Sequence, residues 1–265
     1  MNSPSQPVAS VVLAGERVGG NALAKHLHLP AAVLAEVGGV PSIGRVMSAL
    51  DASAITGNGL IVGPAQDVLD AAPRIRTLAT QYNFAWLPPA SGPSASAALG
   101  ARHLSSLPLL VTTADHALLT TAIIDSFSRD ALTCDADFVV GLVDYDRVMA
   151  AFPDTRRTRL RFADASFCGA NLFLLKTSAA LRVLEFWQQL EHDRKKPWRM
   201  ATKLGVRTLF SYLLGLLNTR DAFGAISARA GARVGFVKIS TARAAIDVDS
   251  VADWKLANQI VETDG

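Results

Sequence analysis

The sequence has few cysteines, and those present form no recognisable pattern. Cys134 and Cys168 are the only two among 265 residues, and their spacing matches no metal-ligand or disulfide motif. A chain of this length can bury a sizeable core without disulfides or a structural metal. We therefore interpret both as reduced core residues and expect a cytoplasmic protein.

A targeting segment, long apolar runs and a strong charge imbalance are also missing. Residues 1–7 are polar rather than basic and then apolar, and no window holds about 18 uncharged apolar residues. The net charge is +3, with 18% charged residues, which is too mild for a nucleic-acid-binding protein. We expect no membrane span and no nucleic-acid partner, whereas a polyphosphate ligand fits this charge.

Apolar runs of strand length alternate with helical patterns in the first half of the chain. The runs are continuously apolar, as in parallel strands buried on both faces. This rhythm predicts an α/β fold with a Rossmann-like, doubly wound, mostly parallel sheet. The predicted strands are Val8–Ala14, Gly59–Gly63, Asn83–Leu87, Leu109–Ala114 and Asp137–Val143.

The second half has a different pattern. Residues 146–162 read as a basic loop and 177–229 as helices, with an apolar strand, Gly169–Leu175, between them. Two short strands, Arg233–Ile239 and Ala245–Val248, and a last helix over Val251–Glu262 complete the prediction. We predict a single domain over 1–265 in which 146–230 form a helical insertion.

A glycine-rich loop, Leu13–Gly20, follows the first predicted strand. Successive backbone N–H groups in such loops bind phosphate oxygens, and Arg17 adds a planar, permanently charged fork. An ordinary surface turn is the alternative. The glycine spacing is not G-x-G-x-x-G, the following residues read as a loop to Pro30, and the Walker A lysine is absent, so the dinucleotide and P-loop motifs do not apply.

These residues, with others in the same order, resemble the MobA-like NTP transferase superfamily. That superfamily includes molybdenum cofactor guanylyltransferase and sugar- and polyol-phosphate cytidylyltransferases. The similar segments are Val12–Gly15 with Arg17, Val37–Pro41, Ser91–Ser96, Val111–His116 and Ile246–Trp254. The resemblance spans roughly residues 8–145 and 233–262, and it implies the GT-A, or nucleotide-diphospho-sugar transferase, type of fold.

The resemblance also implies the site residues and the cofactor. Mg²⁺ would be held by Asp115 together with Asp249 or Asp247, and Asn171 would face the acceptor. The implied nucleotide contacts are Leu13, Ala14, Gly15, Gly92, Ser94 and Ser96. The residues alone agree on Asp115, because it follows a fully apolar strand at the ligand-binding edge of the sheet. Helix capping is the alternative role for Asp115.

The sequence departs from the family pattern where cations are expected. Glu16 replaces a glycine, alanines stand where a lysine usually precedes the apolar run, and Val40 replaces the lysine before Pro41. Charge on a polyphosphate must be neutralised during attack. Arg17 and Lys25, which lie in the same loop, are therefore the catalytic candidates. Replacement of the missing lysines by an arginine of the insertion, or reduced activity, is the alternative.

Two basic segments lie in the second half of the chain. The cations in residues 156–161 would suit a phosphorylated acceptor, although a solvated loop explains most of them. Residues 193–199 place four cations and Trp198 before the apolar stretch Thr208–Leu217. That combination would suit an anionic membrane surface or a lipid-like acceptor, and a helix junction with a solvated basic rim is the alternative.

The function that these features favour is transfer of a nucleoside monophosphate from an NTP to a phosphorylated small molecule, with release of pyrophosphate. A nucleotide-sugar-dependent glycosyltransferase is one alternative, and a degenerate member that binds nucleotide without turnover is another. Contact with a membrane surface and self-association as a homodimer are further partner hypotheses.

Overall fold

The computed structural model describes residues 7–16, 20–193 and 205–264. Its strands are β1 (Val8–Leu13), β2 (Glu36–Val37), β3 (Val40–Pro41), β4 (Thr56–Val62), β5 (Phe84–Leu87), β6 (Leu109–Thr113), β7 (Phe138–Asp144), β8 (Leu160–Arg161), β9 (Ser166–Leu175) and β10 (Val234–Ile239). Its α-helices are α1 (Ala22–His26), α2 (Ser42–Asp51), α3 (Gln66–Ala71), α4 (Pro73–Gln81), α5 (Pro93–Leu104), α6 (Thr121–Thr133), α7 (Tyr145–Ala151), α8 (Ala180–Asp193), α9 (Val206–Leu213), α10 (Thr219–Ala230) and α11 (Val251–Asp264). Short 3₁₀ helices cover Ala32–Leu34 and Ala242–Ala245.

Eight strands form one mixed sheet in the order β10-β7-β9-β6-β1-β4-β5, with β8 paired to β9, while β2 and β3 pair with each other in a small antiparallel sheet. The neighbours along this order are parallel, except that β9 runs antiparallel to both β6 and β7. The predicted Rossmann-like, mostly parallel sheet is confirmed. The parallel strands therefore end at the same edge, which is where ligands bind in open α/β sheets.

Both faces of the sheet are covered. Val11 and Val12 are neighbours on β1 and point to opposite faces, yet neither is exposed to solvent. Val12 belongs to the cluster with α2 and α6, and Val11 belongs to the cluster with α5 and α8. Burial on both sides explains why the strands read as continuous apolar runs. No helix among the described residues is long and apolar enough to cross a membrane.

Three local predictions were wrong. Helix α1 forms where a loop was predicted, and α7 forms within the predicted basic loop because the Asp144 carboxylate accepts hydrogen bonds from the N–H groups of Asp146 and Arg147. The predicted strand Ala245–Val248 does not form, because Ala245 ends the second 3₁₀ helix and the residues that follow lie outside the sheet. The strand predicted at Gly169–Leu175 is present as β9 (Ser166–Leu175) and lies in the middle of the sheet.

Candidate nucleotide and metal site

Three carboxylates meet at the edge where the parallel strands end. Asp115 lies two residues beyond β6, while Asp247 and Asp249 lie on the segment between the second 3₁₀ helix and α11. One carboxylate oxygen from each lies within 4.8 Å of the other two. The structure thus brings together the three residues that were predicted as metal ligands.

Backbone hydrogen bonds hold these segments together. The Val248 N–H donates to the carbonyl oxygen of Asp115 at 2.9 Å, and the Ala114 N–H donates to the Leu13 carbonyl oxygen at 2.9 Å. The Ser42 hydroxyl, at the start of α2, donates to the Ala114 carbonyl oxygen at 2.8 Å. The end of β6 is therefore fixed to the β1 loop, to α2 and to the Asp247–Asp249 segment.

Asp115 sits in an unusual environment for a carboxylate. Its Oδ1 atom is buried and has no hydrogen-bond partner among the described residues. Burial, together with the negative charge of Asp249, raises the pKa of Asp115 to about 6. The alternative role of Asp115 as a helix cap does not hold, because Thr120 caps α6. The three carboxylates repel one another, and the buried Asp115 oxygen has no hydrogen-bond partner among the described residues. A bound cation would offset the repulsion and provide that oxygen with a partner.

This donor set fits Mg²⁺. Magnesium prefers oxygen ligands and is usually held by one or two carboxylates, with substrate phosphates and water completing its shell. Asp115 offers the buried oxygen and Asp249 an exposed carboxylate beside it. Asp247 is less available, because other side chains already engage it.

Arg157 is the residue that engages Asp247. Its guanidinium pairs with the carboxylates of both Asp247 and Asp253, and its Nη2 also donates to the Asp247 carbonyl oxygen at 3.3 Å. The Arg157 side chain is only 8% exposed. In the sequence, Arg157 is one of several arginines in a basic loop and nothing distinguishes it. In the structure, its buried guanidinium neutralises carboxylates next to the candidate metal ligands.

Asn171 reaches the same carboxylate from β9. Its side-chain amide donates to Asp247 Oδ2 at 3.3 Å. The pairing of β7 with β9 shifts between Val140 and Leu142, and Asn171 has a left-handed backbone with φ of 49°. Asparagine tolerates that conformation better than most residues, so this bulge turns a polar side chain out of an apolar strand. Contact with an acceptor stays a prediction.

The last helix begins with a reciprocal cap beside the carboxylates. The Ser250 hydroxyl accepts from the Asp253 N–H at 3.2 Å, while the Asp253 carboxylate accepts from the Ser250 N–H at 3.1 Å. Ser250 therefore caps the N-terminus of α11. His116, next to Asp115, is buried, and burial lowers its pKa to about 4, so its imidazole is neutral.

The predicted phosphate loop is packed closely between neighbouring strand ends. Ala14 is buried and Gly15 is exposed. Gly63, just after β4, has a φ of 94°, and a Cβ there would lie 2.8 Å from the backbone of Ala14 and Gly15. Only glycine fits this position, because backbone atoms cannot rotate away as a side chain would. The sequence did not single out Gly63.

We expect Gly63→Ala to disturb this loop. The added methyl group meets backbone and the left-handed φ disfavours alanine, so the free energy of unfolding should fall by about 2 kcal/mol. Nucleotide binding should weaken as Ala14 and Gly15 shift. Chemical denaturation measures the first effect, and Gly224→Ala is the control, since a Cβ there meets nothing within 4 Å. Equal stability of the two variants would contradict the prediction.

Of the two cation candidates, Lys25 lies on α1, the helix that follows this loop. Arg17 is outside the described residues. A Cβ on Gly20 would lie 3.4 Å from Lys25 Cε, so the Lys25 side chain runs alongside the loop. Glu16, the residue that replaces the family glycine, accepts a hydrogen bond from the Ala32 N–H at 2.8 Å. Glu16 thereby ties the loop to the first 3₁₀ helix.

The second predicted nucleotide loop precedes α5. Ser94 and Ser96 are both buried: the Ser96 hydroxyl accepts from the Ala90 N–H at 3.0 Å, and the Ser94 hydroxyl donates to Glu191 at 2.6 Å. These hydroxyls organise the loop, and the backbone around Gly92 is its more accessible part. Nucleotide contact by this loop stays a prediction.

A protein-family model matches more than half of the chain. The model described as the MobA-like NTP transferase domain matches residues 31–214. That range includes Asp115 and Asn171 but neither the β1 loop nor Asp247 and Asp249. No curated protein matches the chain significantly.

Solved structures share the fold along almost the whole chain. A protein described as a hypothetical transferase from Thermus thermophilus is 25% identical, with a TM-score of 0.77 over 94% of this chain and 100% of the other. The 4-diphosphocytidyl-2C-methyl-D-erythritol synthase of Anaerococcus prevotii is 11% identical, with a TM-score of 0.58 over 97% and 96%. A CMP:2-keto-3-deoxy-manno-octonic acid synthetase complexed with CTP is 10% identical, with a TM-score of 0.61 over 98% and 100%.

Proposed function

The chain belongs to the MobA-like NTP transferase family, and we propose that it transfers a nucleoside monophosphate from an NTP to a phosphorylated small molecule with release of pyrophosphate. The observation that carries the proposal is the carboxylate cluster of Asp115, Asp247 and Asp249 beside the Leu13–Gly15 loop. A polyphosphate and its metal would share this edge of the sheet. The partners are then an NTP and the acceptor, and a homodimer stays a prediction.

In the proposed reaction an acceptor phosphate oxygen attacks the α-phosphorus of the NTP. A new P–O bond forms while the bond from the α-phosphorus to the bridging oxygen breaks, and pyrophosphate carries away the electron pair. A phosphate nucleophile is ionised near neutral pH, so the reaction needs no strong general base. Neutral, buried His116 is consistent with a mechanism that rests on positioning and charge stabilisation.

Each part of the site has a distinct task in this proposal. Bound Mg²⁺ would polarise phosphate oxygens, and Asp115 and Asp249 would hold it. Arg157 and Asn171 fix Asp247 and so orient the segment that carries Asp249. Lys25, with Arg17, would neutralise the polyphosphate in place of the missing family lysines.

Ligand-dependent thermal stability tests the donor site. We expect one of ATP, CTP, GTP and UTP to raise the melting temperature in the presence of Mg²⁺ and much less without it, because ligands that bind only the native state stabilise it. The same nucleotide should then release pyrophosphate when a panel of sugar, polyol and lipid phosphates is added. No shift with any nucleotide would contradict the proposal.

The panel also separates the alternatives. Mg²⁺-dependent binding of an NTP without pyrophosphate release from any acceptor would favour the degenerate nucleotide-binding protein. Stabilisation by a nucleotide sugar but by no NTP would favour the glycosyltransferase. The latter class usually places a D-x-D at the end of the strand that corresponds to β6, and here β6 is followed by Ala114, Asp115 and His116.

Lys25→Met tests the substitute cation. If Lys25 stabilises charge on the departing pyrophosphate, we expect kcat to fall by roughly 10²-fold while the protein stays as stable as the wild type. Lys25→Arg should recover part of this loss. Lys255→Met, an exposed lysine on α11, is the control. Unchanged turnover in Lys25→Met would assign the charge to Arg17 or to another residue.

A further inference from the structure

The most exposed large apolar side chains of the described residues lie on one short segment. Phe210, Leu213, Leu214 and Leu216 are 61%, 70%, 67% and 70% exposed, whereas the next most exposed, Trp187, is 40% exposed. The first three are spaced by three and four residues and so share one face at the end of α9. We call these four side chains the apolar ridge.

The rest of the molecule holds the ridge in place. On the other side of α9, the Tyr212 ring contacts the Phe162 ring edge-on at 6.1 Å. After α9 the chain turns back, and the N–H groups of Leu216 and Leu217 both donate to the Ser211 carbonyl oxygen. The Leu217 carbonyl oxygen accepts a hydrogen bond from the Ala163 N–H, which fixes the turn to the rest of the molecule. The ridge is therefore displayed on an anchored segment, and exposed apolar patches of this kind mark interaction sites.

Two arginines lie near the ridge. Arg207 is exposed on α9, and a Cβ on Gly215 would lie 3.9 Å from the guanidinium of Arg161, so that cation lies beside the turn. The sequence from 194 to 220 contains no aspartate or glutamate. Its cations are Arg194, Lys195, Lys196, Arg199, Lys203, Arg207 and Arg220. Among the described residues, an apolar face flanked by Arg161 and Arg207 complements an anionic, partly apolar partner.

We propose that the apolar ridge docks on the surface of an anionic lipid bilayer. Apolar side chains enter the boundary between headgroups and acyl chains, while neighbouring arginines bind lipid phosphates through extended stems. A second copy of the chain is a poorer partner, because it would bring Arg161 and Arg207 towards their own copies. The inference does not depend on the nucleotide proposal.

Vesicle co-sedimentation of the full chain tests this proposal. We expect at least tenfold stronger binding to vesicles of phosphatidylcholine mixed with phosphatidylglycerol than to phosphatidylcholine alone, and the binding should weaken as salt rises. Leu213→Ser with Leu214→Ser should lower binding to the anionic vesicles about tenfold or more. Arg161→Gln with Arg207→Gln should lower it and flatten the salt dependence. Leu107→Ser, an exposed leucine elsewhere, should bind as the wild type does.

Because the altered side chains are exposed, the melting temperatures of the variants should be close to that of the wild type. Measuring them checks that the fold is retained. Binding that is equal for the two vesicle types, or absent from both, overturns the proposal. Undiminished binding of the Leu213, Leu214 double variant also overturns it. If the wild type ignores vesicles and is a dimer that the double variant dissociates, the ridge is a contact between copies of the chain.

Discussion

Replacing Asp115 by asparagine should abolish turnover and the Mg²⁺-dependent response to NTP, and should make the metal-free protein more stable. The first effect follows because the amide is a poor Mg²⁺ ligand, and it replaces a carboxylate whose buried Oδ1 has no hydrogen-bond partner among the described residues. The second follows because the substitution removes a buried negative charge next to Asp249 and supplies an N–H donor in its place. If Asp115 instead stabilised the fold, the substitution would lower the free energy of unfolding of the metal-free protein.

The stability gain should depend on pH. In the folded chain the pKa of Asp115 is raised to about 6 from an ordinary value of 3.8. A raised carboxyl pKa means that the folded state binds the proton more tightly, so stability falls as pH rises from the unfolded value through the folded one. The difference between Asp115→Asn and the wild type should therefore be small at pH 4 and should approach up to about 3 kcal/mol above pH 7.

Denaturation in EDTA at several pH values, with and without Mg²⁺ and NTP, measures both effects. Asp154→Asn changes an exposed loop carboxylate and should alter neither stability nor binding appreciably. Because protons compete with the metal for Asp115, Mg²⁺ should stabilise the wild type less below pH 6 than above it. A loss of stability in metal-free Asp115→Asn would assign Asp115 a structural role.

The sequence could indicate which carboxylates would meet, for a simple topological reason. Asp115 follows an apolar strand, and the parallel strands of a doubly wound sheet all end at one edge. The alternation of Ile246 and Val248 with Asp247 and Asp249 correctly separated buried from outward-facing side chains. The alternation does not show which groups the backbone bonds to. The Val248 N–H donates to the Asp115 carbonyl oxygen and not to a neighbouring strand. The predicted strand there was wrong for that reason.

Other features depend on contacts that no local pattern records. The apolar run within β9 was predicted as a strand, but its antiparallel direction depends on the path of the connection from β7. The left-handed bulge at Asn171 follows from the register of β9 against β7. Nothing near Arg157 distinguishes it from Arg156, because its two carboxylate partners lie about 90 residues further along the chain.

Replacing Arg157 by methionine should therefore have a large effect that the same change at Arg156 lacks. Asp247 and Asp253 are only 24% and 14% exposed, and both would lose their cation. Removing one member of a buried ion pair leaves uncompensated charge, so the free energy of unfolding should fall by about 3 kcal/mol. The free energy of unfolding of Arg157→Lys should lie between those of the wild type and Arg157→Met. An ammonium restores the positive charge but lacks the fork that reaches both carboxylates. Chemical denaturation in EDTA measures these differences.

Mg²⁺ distinguishes a positioning role for Arg157 from simple packing. Without the guanidinium, the metal is the remaining cation that can offset repulsion among Asp115, Asp247 and Asp249. Mg²⁺ should then raise the melting temperature of Arg157→Met more than that of the wild type, while turnover stays low because the Asp247–Asp249 segment is no longer oriented. If Arg157 only fills space, methionine replaces most of its packing and Mg²⁺ affects both proteins equally. Arg156→Met, exposed in the same loop, should match the wild type within about 0.5 kcal/mol.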